Sequence, residues 1–263
     1  MRRLPAVPLG TSSDPQDPDA QMSIDVFQPE GVRAEKVAVV IHGRNGNSDS
    51  PHMMKVVRPY LRRGYAVVSA NLCASEWNGS AGTGADFTIG QHLRDARRVV
   101  QWTLDNAEDQ GWRTDGLVLA GHSMGGYAVL RLAAEEFEGR IAHVLAVSTF
   151  TSGARQIEVR RALAPDGIEV LARECPRALD EWPTHDILAL ADRLTLPVGI
   201  VAGRGDMVTP PANCKELFDL LPDGICYLVM PEAQHCMEGE TSEAVIEAAL
   251  VVLDQTRRES PAA

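Results

Sequence analysis

The sequence predicts an α/β protein with a doubly wound, mostly parallel sheet, built as a single domain. Six short apolar runs, rich in valine, isoleucine and leucine, have the composition of strands that are covered on both faces. Helical patterns separate these runs along most of the 263 residues, and this alternation is typical of a parallel sheet. In chain order, the predicted strands span residues 37–41, 66–70, 117–120, 141–147, 198–202 and 226–230.

Two of the intervening helices are well marked. Residues 92–107 place apolar side chains such as Ala96 and Val100 on one stripe, with the charged side chains opposite. Residues 241–258 begin with Thr241, a suitable N-cap, and end with arginines, which favour the negative end of a helix dipole. We therefore expect a helix in each segment.

The domain organisation follows from where this pattern holds. Residues 1–20 are rich in proline and aspartate and predict a flexible tail, and residues 258–263 predict a second one. Residues 21–257 then form the single domain. Within it, residues 151–194 contain no clear strand and indicate a small helical insertion with the position of a lid.

Composition excludes several classes of function. The formal net charge of −11 would repel nucleic acid and anionic membranes, so we expect a small-molecule substrate instead. No apolar segment has the length of a membrane span, and prolines interrupt the only candidate leader, which predicts a cytoplasmic protein. The five cysteines form no C-x-x-C pair and predict free thiols without a zinc site. We expect no metal or organic cofactor, and the oligomeric state stays open.

A candidate nucleophile lies in "LVLAGHSMGGYAVL". Here an apolar strand is followed by G-x-S-x-G, with Gly121 and Gly125 flanking Ser123, and then by an apolar helix. A turn this tight forces its central residue into a strained conformation, projects the side chain from the sheet and leaves room only for very small neighbours. The strand–turn–helix context therefore predicts that Ser123 is a nucleophile.

A serine nucleophile needs a base, and His235 is the best placed of the seven histidines. It follows the last predicted strand and precedes the last helix, where a loop at the carboxyl edge of the sheet would lie. The other six fall on a helix, in a strand, in polar loops or in motifs with another explanation: they are His42, His52, His92, His122, His143 and His185.

The base in turn needs a carboxylate that fixes its tautomer. Asp206 directly follows the predicted strand 198–202 in a glycine-rich turn, which makes it the first candidate. Asp223 is a competitor in an ordinary turn, and Asp180 and Asp186 are weaker ones within the insertion.

These residues give the chain a resemblance to the α/β-hydrolases over residues 35–255. Ser123, Asp206 and His235 occur in the order of that family's triad, and Gly203 and Pro210 complete its G-x-x-D-x-x-x-P pattern around the acid. The resemblance implies a serine hydrolase of the monoacylglycerol-lipase and feruloyl-esterase-like branch.

The same resemblance assigns an oxyanion hole. The strand "VAVVIHG" ends in His42 and Gly43, which would carry a backbone N–H of Arg44 to the site, and Met124 would supply the second N–H. His42, Gly43 and Trp182 are then candidates for contact with the substrate.

Two features depart from the family's pattern. Many relatives have an Asp-x-Arg-Gly run after the next strand, whereas this chain has "NLCASEWNGSAGTG", beginning with Asn71, which leaves one wall of the pocket unassigned. The insertion is also shorter than the lids of many lipases, so it offers little apolar surface.

The predicted reaction is hydrolysis of carboxylic esters with small to medium acyl groups through an acyl-enzyme on Ser123. The same triad could instead cleave a C–C bond as a hydrolase or lyase, or a thioester, and the sequence does not separate these reactions. A ligand-binding receptor that retains the triad with little turnover is the alternative from a different class.

Overall fold

All six runs predicted as strands are strands in the structure, a computed structural model that describes residues 1–137 and 139–259. They form the parallel part of one sheet, and three further strands precede them in the chain. Within the described residues the strands are β1 (Arg2–Arg3), β2 (Val7–Leu9), β3 (Met22–Gln28), β4 (Lys36–Ile41), β5 (Tyr65–Asn71), β6 (Leu117–His122), β7 (Ile141–Val147), β8 (Val198–Gly203) and β9 (Gly224–Met230).

The strand order positions the ends of the parallel strands at one edge. The sheet runs β1-β3-β5-β4-β6-β7-β8-β9, with β2 also paired to β3. Strands β4 to β9 are parallel, and β3 is antiparallel to β5. The chain goes from β4 to β5 on one side and then crosses to β6 on the other. Such a switch point opens a crevice at the carboxyl ends of the strands, where ligands of α/β proteins bind.

Helices cover both faces of the sheet. In the described residues they are α1 (Pro51–Arg62), α2 (Ile89–Asp105), α3 (Ala107–Gln110), α4 (Met124–Glu135), α5 (Gly153–Leu163), α6 (Gly167–Glu174), α7 (Ala178–Glu181), α8 (Pro211–Leu220) and α9 (Ser242–Glu259). Helices α1 and α9 pack on one face, and α2 and α4 pack on the other.

The protein has one hydrophobic core on each face of the sheet, and the alternation of side chains along each strand supplies both of them. In β4, Val37, Val39 and Ile41 belong to the core under α2 and α4. Ala38 and Val40 point to the core under α1 and α9. Successive strand residues face opposite sides of a sheet, so a strand covered on both faces must be apolar throughout.

The N-terminal segment differs from the flexible tail predicted for residues 1–20. Strands β1 and β2 both pair with β3, and the guanidinium of Arg3 lies 2.7 Å from a carboxylate oxygen of the fully buried Asp25. Asp25 also accepts hydrogen bonds from Ser48 and Asn71. Proline and aspartate suggested disorder, but a buried carboxylate needs a cation, and Arg3 supplies it.

The insertion and the C-terminus complete the chain. Residues 151–194 contain α5, α6, α7 and two turns of 3₁₀ helix (Trp182–Thr184 and Leu188–Arg193), and Ser152 pairs with Asp186 at the base of the segment. At the other end α9 continues to Glu259, so the tail predicted for residues 258–263 is helical at its start, and residues 260–263 lie outside the described residues. Over the described ranges, no helix combines the length and the apolar character needed to cross a membrane.

Candidate active site

Ser123 lies at the turn between β6 and α4. Its φ of 56° and ψ of −121° form a strained conformation for a residue with a side chain. A Cβ on Gly125 would lie 2.2 Å from the carbonyl oxygen of Ile41, and one on Gly121 would lie 2.2 Å from the carbonyl oxygen of Gly125. Larger residues would therefore push the strand and the helix apart, which explains the glycines on both sides of Ser123.

Ser123, His235 and Asp206 form a continuous chain of hydrogen bonds. The Nε2 atom of His235 is 3.0 Å from Oγ of Ser123, and its Nδ1 atom is 2.9 Å from Oδ2 of Asp206. Asp206 follows β8 and His235 follows β9, and both strands end at the same edge of the sheet as β6. The parallel sheet thus brings Ser123 together with two residues that lie more than 80 positions later in the chain.

The environment of Asp206 favours its ionised form. Burial raises the pKa of this carboxyl, but the hydrogen bond and positive charge of His235 and two hydrogen bonds from Thr209 outweigh burial, so the pKa lies below its ordinary value. The Thr209 N–H and hydroxyl donate to Asp206 at 2.8 Å each, and the N–H of Val208 donates at 2.9 Å. These donors fix the orientation of the carboxylate that faces His235.

The competing acids lie elsewhere. Asp180 is exposed on α7, Asp186 accepts a hydrogen bond from the N–H of Leu188, and the carbonyl oxygen of Asp223 accepts one from Val198. In the described part of the chain, Asp206 is the carboxylate in contact with His235.

The predicted oxyanion donors lie in the same cavity as Ser123. The backbone N–H groups of Arg44 and Met124 have no hydrogen-bond acceptor among the described residues. Met124 is the first residue of α4, and the first amides of a helix have no partner within it. The neighbouring Gly43 lies against Ser123, since a Cβ there would be 2.8 Å from Cβ of Ser123. Both amides are therefore available to a negatively charged oxygen.

His42, a candidate for contact with the substrate, is instead buried behind this loop. Its Nδ1–H donates to the carbonyl oxygen of Gly43 at 2.7 Å, and its Nε2 accepts from the N–H of Leu72 at 3.0 Å. His92 donates from Nε2 to the carbonyl oxygen of His42 at 3.0 Å. Burial lowers the pKa of His42 to about 4 and that of His92 to about 3, so both rings are neutral. They hold the loop that carries Arg44 and make no contact with the cavity.

The other histidine of the turn is also positioned away from the reaction. His122 donates from Nε2 to the carbonyl oxygen of His235 at 2.8 Å, and its ring lies 4.8 Å from that of His235. Burial, followed by the neighbouring His235 and His52, holds the pKa of His122 well below its ordinary value. It supports the loop of the candidate base as a neutral residue.

The cavity in front of Ser123 has a volume of about 180 Å³, which is small for a ligand site. Trp182 forms part of its wall, although the residue is only 1% exposed and its ring packs on Phe150. Sequence reasoning missed several other wall residues: these are Phe150, Gln156, Arg160, Val208 and Thr209. Val208 and Thr209 could have been found from their position after Asp206, whereas Gln156 and Arg160 lie on α5 and carry no motif.

The unassigned wall around Asn71 is a structural network. The Asn71 side chain accepts a hydrogen bond from the N–H of Ser48 and donates to Ser23 and Asp25. It therefore supports the loop after β4. Within residues 1–137 and 139–259, no three His, Cys, Asp or Glu side chains are grouped so that they could hold a metal ion.

Comparison with known proteins identifies the fold family of this arrangement. A family model described as alpha/beta hydrolase fold matches residues 37–181, which is more than half of the chain. No curated protein matches the sequence.

Solved structures extend the likeness to nearly the whole chain. Mouse alpha/beta hydrolase domain-containing protein 10 superposes with a TM-score of 0.70 at 16% identity, covering 98% of this chain and all of that one. Est1E from Butyrivibrio proteoclasticus gives 0.69 at 20% identity over 97% and 99%. The Pyrococcus furiosus esterase Pf2001 gives 0.66 at 20% identity over 97% and 92%. At these identities the likeness concerns the fold.

Proposed function

We propose that this chain, which belongs to the α/β-hydrolase fold family, hydrolyses carboxylic esters with small to medium acyl groups through an acyl-enzyme on Ser123. The observation that carries the proposal is the hydrogen-bonded series from Oγ of Ser123 through His235 to Asp206. A serine hydroxyl is a poor nucleophile until a base removes its proton, and His235 is in contact with that proton.

The first half of the reaction forms the acyl-enzyme. The Nε2 atom of His235 takes the proton of Ser123 as Oγ forms a bond to the ester carbonyl carbon. Asp206 accepts the Nδ1–H bond, which keeps Nε2 free as the acceptor and stabilises the imidazolium. The negative charge that develops on the carbonyl oxygen accepts hydrogen bonds from the N–H groups of Arg44 and Met124. The C–O bond of the ester then breaks, and His235 gives its proton to the departing alcohol.

The second half of the reaction hydrolyses the acyl-enzyme, with water in the place of Ser123 as the attacking group and Ser123 in the place of the alcohol as the leaving group. His235 removes a proton from the water as its oxygen attacks the acyl carbon, and the two amides again hold the oxyanion. The bond to Ser123 breaks and Oγ recovers its proton from His235, releasing a carboxylic acid. Each oxyanion donor of this kind contributes about 3 kcal/mol to the stabilisation of the transition state, so the loop held by His42 matters as much as the triad.

The structural likenesses support an ester as the substrate. One of the neighbours is an esterase, and Est1E has also been solved with ferulic acid bound. The cavity of about 180 Å³ favours a short acyl chain.

Labelling with a fluorophosphonate tests the nucleophile. We expect the probe to modify Ser123, identified by peptide mapping, and Ser123→Ala to lower kcat on p-nitrophenyl butyrate by roughly 10⁵-fold or more. Ser148 and Ser152, which are also buried near the edge of the sheet, provide matched alanine controls. A label on either control, or normal turnover by Ser123→Ala, would contradict the proposal.

A further inference from the structure

The cavity in front of Ser123 has a charge opposite to that of the protein. The chain carries a formal net charge of −11, yet Arg44 and Arg160 both line this cavity. Of the described residues in its wall, none is an aspartate or glutamate. A small cavity with two guanidinium groups and no acidic side chain is attractive to anions.

Arg160 lacks a partner of its own. It lies in the last turn of α5, and its guanidinium forms no hydrogen bond and no ion pair with any described residue. Its Nε is buried without an acceptor. Burial, followed by the positive charge of Arg44, lowers the pKa of Arg160. Holding a partly buried guanidinium beside a second one is unfavourable unless an anion completes the site.

The nearest carboxylate does not neutralise the pair. Glu174 accepts a hydrogen bond from Arg44 at 3.3 Å, and 48% of the Glu174 side chain is exposed to solvent, compared with 19% of Arg44. Exposed ion pairs of this length contribute little energy. One half-exposed carboxylate thus faces two guanidinium groups.

Two buried hydrogen-bond donors in the wall of the cavity also lack an acceptor. The indole N–H of Trp182 is buried and has no hydrogen-bond acceptor. The side-chain N–H of Gln156 donates to the carbonyl oxygen of Val208 at 2.7 Å. Two buried atoms on the side formed by the insertion have no partner among the described residues, Nε of Arg160 and Nε1 of Trp182, and both can only donate. A ligand with several acceptor oxygens would satisfy them.

We infer that the substrate of this site is an ester that carries a carboxylate group, which Arg160 binds with the help of Arg44. The inference rests on the proposed esterase function and specifies its substrate class. A carboxylate offers two acceptor oxygens in one plane and matches the planar fork of a guanidinium, which gives strong and directional hydrogen bonds.

Paired substrates that differ only in charge test this inference. The first pair is the mono-p-nitrophenyl ester of adipic acid and the p-nitrophenyl ester of adipic acid monoamide. The first compound of this pair carries its carboxylate on the acyl side of the ester. The second pair is 4-acetoxybenzoate and 4-acetoxybenzamide. Here the benzoate carries its carboxylate on the alcohol side of the ester. We expect kcat/KM to favour the carboxylate at least about tenfold in one pair, and that pair locates the charged group.

Variants of neighbouring arginines provide the control. Arg160→Gln should reduce the preference for the carboxylate about ten- to a hundredfold, and Arg160→Lys, which keeps the charge, should reduce it less. Arg161 is adjacent on α5 but exposed and paired with Glu158, so Arg161→Gln should leave the preference unchanged. Equal rates within both pairs, or a preference that survives Arg160→Gln, would overturn the inference while leaving the esterase proposal intact.

A binding measurement keeps the two proposals separable. Calorimetry on Ser123→Ala compares monomethyl adipate with the methyl ester of adipic acid monoamide, and requires no turnover. Tighter binding of the carboxylate, lost when Arg160→Gln is added, would support the inference even if no ester were hydrolysed. Equal or absent binding of both compounds would overturn it. Failure of the esterase proposal would show instead as the absence of labelling and of turnover on every ester.

Discussion

Replacing His92 by glutamine should make the stability of this protein less sensitive to acid. The His92 ring is 1% exposed, and its Nε2–H donates to the carbonyl oxygen of His42. Burial, and then repulsion from His42, lowers the pKa of His92 to about 3, whereas a histidine in an unfolded chain titrates near 6.5. The side-chain amide of glutamine reaches a similar position and keeps the donor without a group that titrates.

The size of the effect follows from the two pKa values of His92. Below pH 6.5 the unfolded chain takes up a proton at this residue, while the folded chain stays neutral until the pH approaches about 3. The unfolded state therefore binds more protons, and the free energy of unfolding falls as the pH decreases through this window. Each pH unit costs about 1.4 kcal/mol, so at pH 5 the contribution of His92 is a loss of about 2 kcal/mol.

Urea unfolding followed by tryptophan fluorescence measures this loss. The free energy of unfolding is determined for the wild type and for His92→Gln at pH 8 and at pH 5. The difference between the two proteins at pH 8 reports the packing cost of the substitution. Relative to that difference, the variant should gain about 2 kcal/mol at pH 5. His42 is present in both proteins, so its contribution to the pH dependence of the free energy of unfolding largely cancels in the comparison. A difference that is the same at both pH values would refute the reasoning, since it would mean that His92 is charged within the fold.

Three further predictions concern the site. Asp206→Asn should lower kcat by roughly 10³–10⁴ while Asp223→Asn and Asp180→Asn retain activity, and the reverse pattern in steady-state kinetics would exclude Asp206 as the acid. In denaturant titrations, Gly125→Ala should lower the free energy of unfolding by about 3 kcal/mol or more, because its Cβ would lie 2.2 Å from the carbonyl oxygen of Ile41. The control is Gly205→Ala, because a Cβ there meets no atom within 3.4 Å. In a series of p-nitrophenyl esters, kcat/KM should be highest for short or medium acyl chains and fall for long ones, and a maximum at long chains with activation at a lipid interface would contradict the cavity of about 180 Å³.

The parallel half of the sheet was predictable because its strands are covered on both faces. Such strands are mostly apolar, and β4 to β9 show this as nearly continuous apolar runs, although Ser69 and His143 lie within β5 and β7 and the edge strand β9 is only partly buried. Strand β3 was missed since the charged Asp25 interrupts it at a fully buried position. That charge is tolerated through Arg3, 22 residues earlier, and a pairing of this kind has no local signature.

The residues around Ser123 likewise include some that the sequence predicted and some that it did not. Ser123 could be singled out because a strained turn demands small neighbours such as Gly121 and Gly125. Asp206 and His235 could be singled out because each follows a predicted strand and because the resemblance supplies the order of the three residues. The structure brings Ser123, Asp206 and His235 into contact, while their catalytic roles remain predictions. Arg160 was missed because nothing in the sequence of α5 distinguishes an arginine that faces a cavity from one in solvent. The position of His42 behind the loop could not be predicted, because proximity in sequence to Arg44 does not reveal which way a ring points.

The insertion has a consequence for how this protein could change over evolution. Gln156, Arg160 and Trp182 all belong to this one segment, which leaves and rejoins the sheet between β7 and β8. Ser123, Asp206 and His235 lie on other loops at the edge of the sheet. Exchange of a single contiguous stretch of gene could therefore replace these three wall residues together while preserving Ser123, Asp206 and His235. In directed evolution, this segment is the place where randomisation would change selectivity at least risk to turnover.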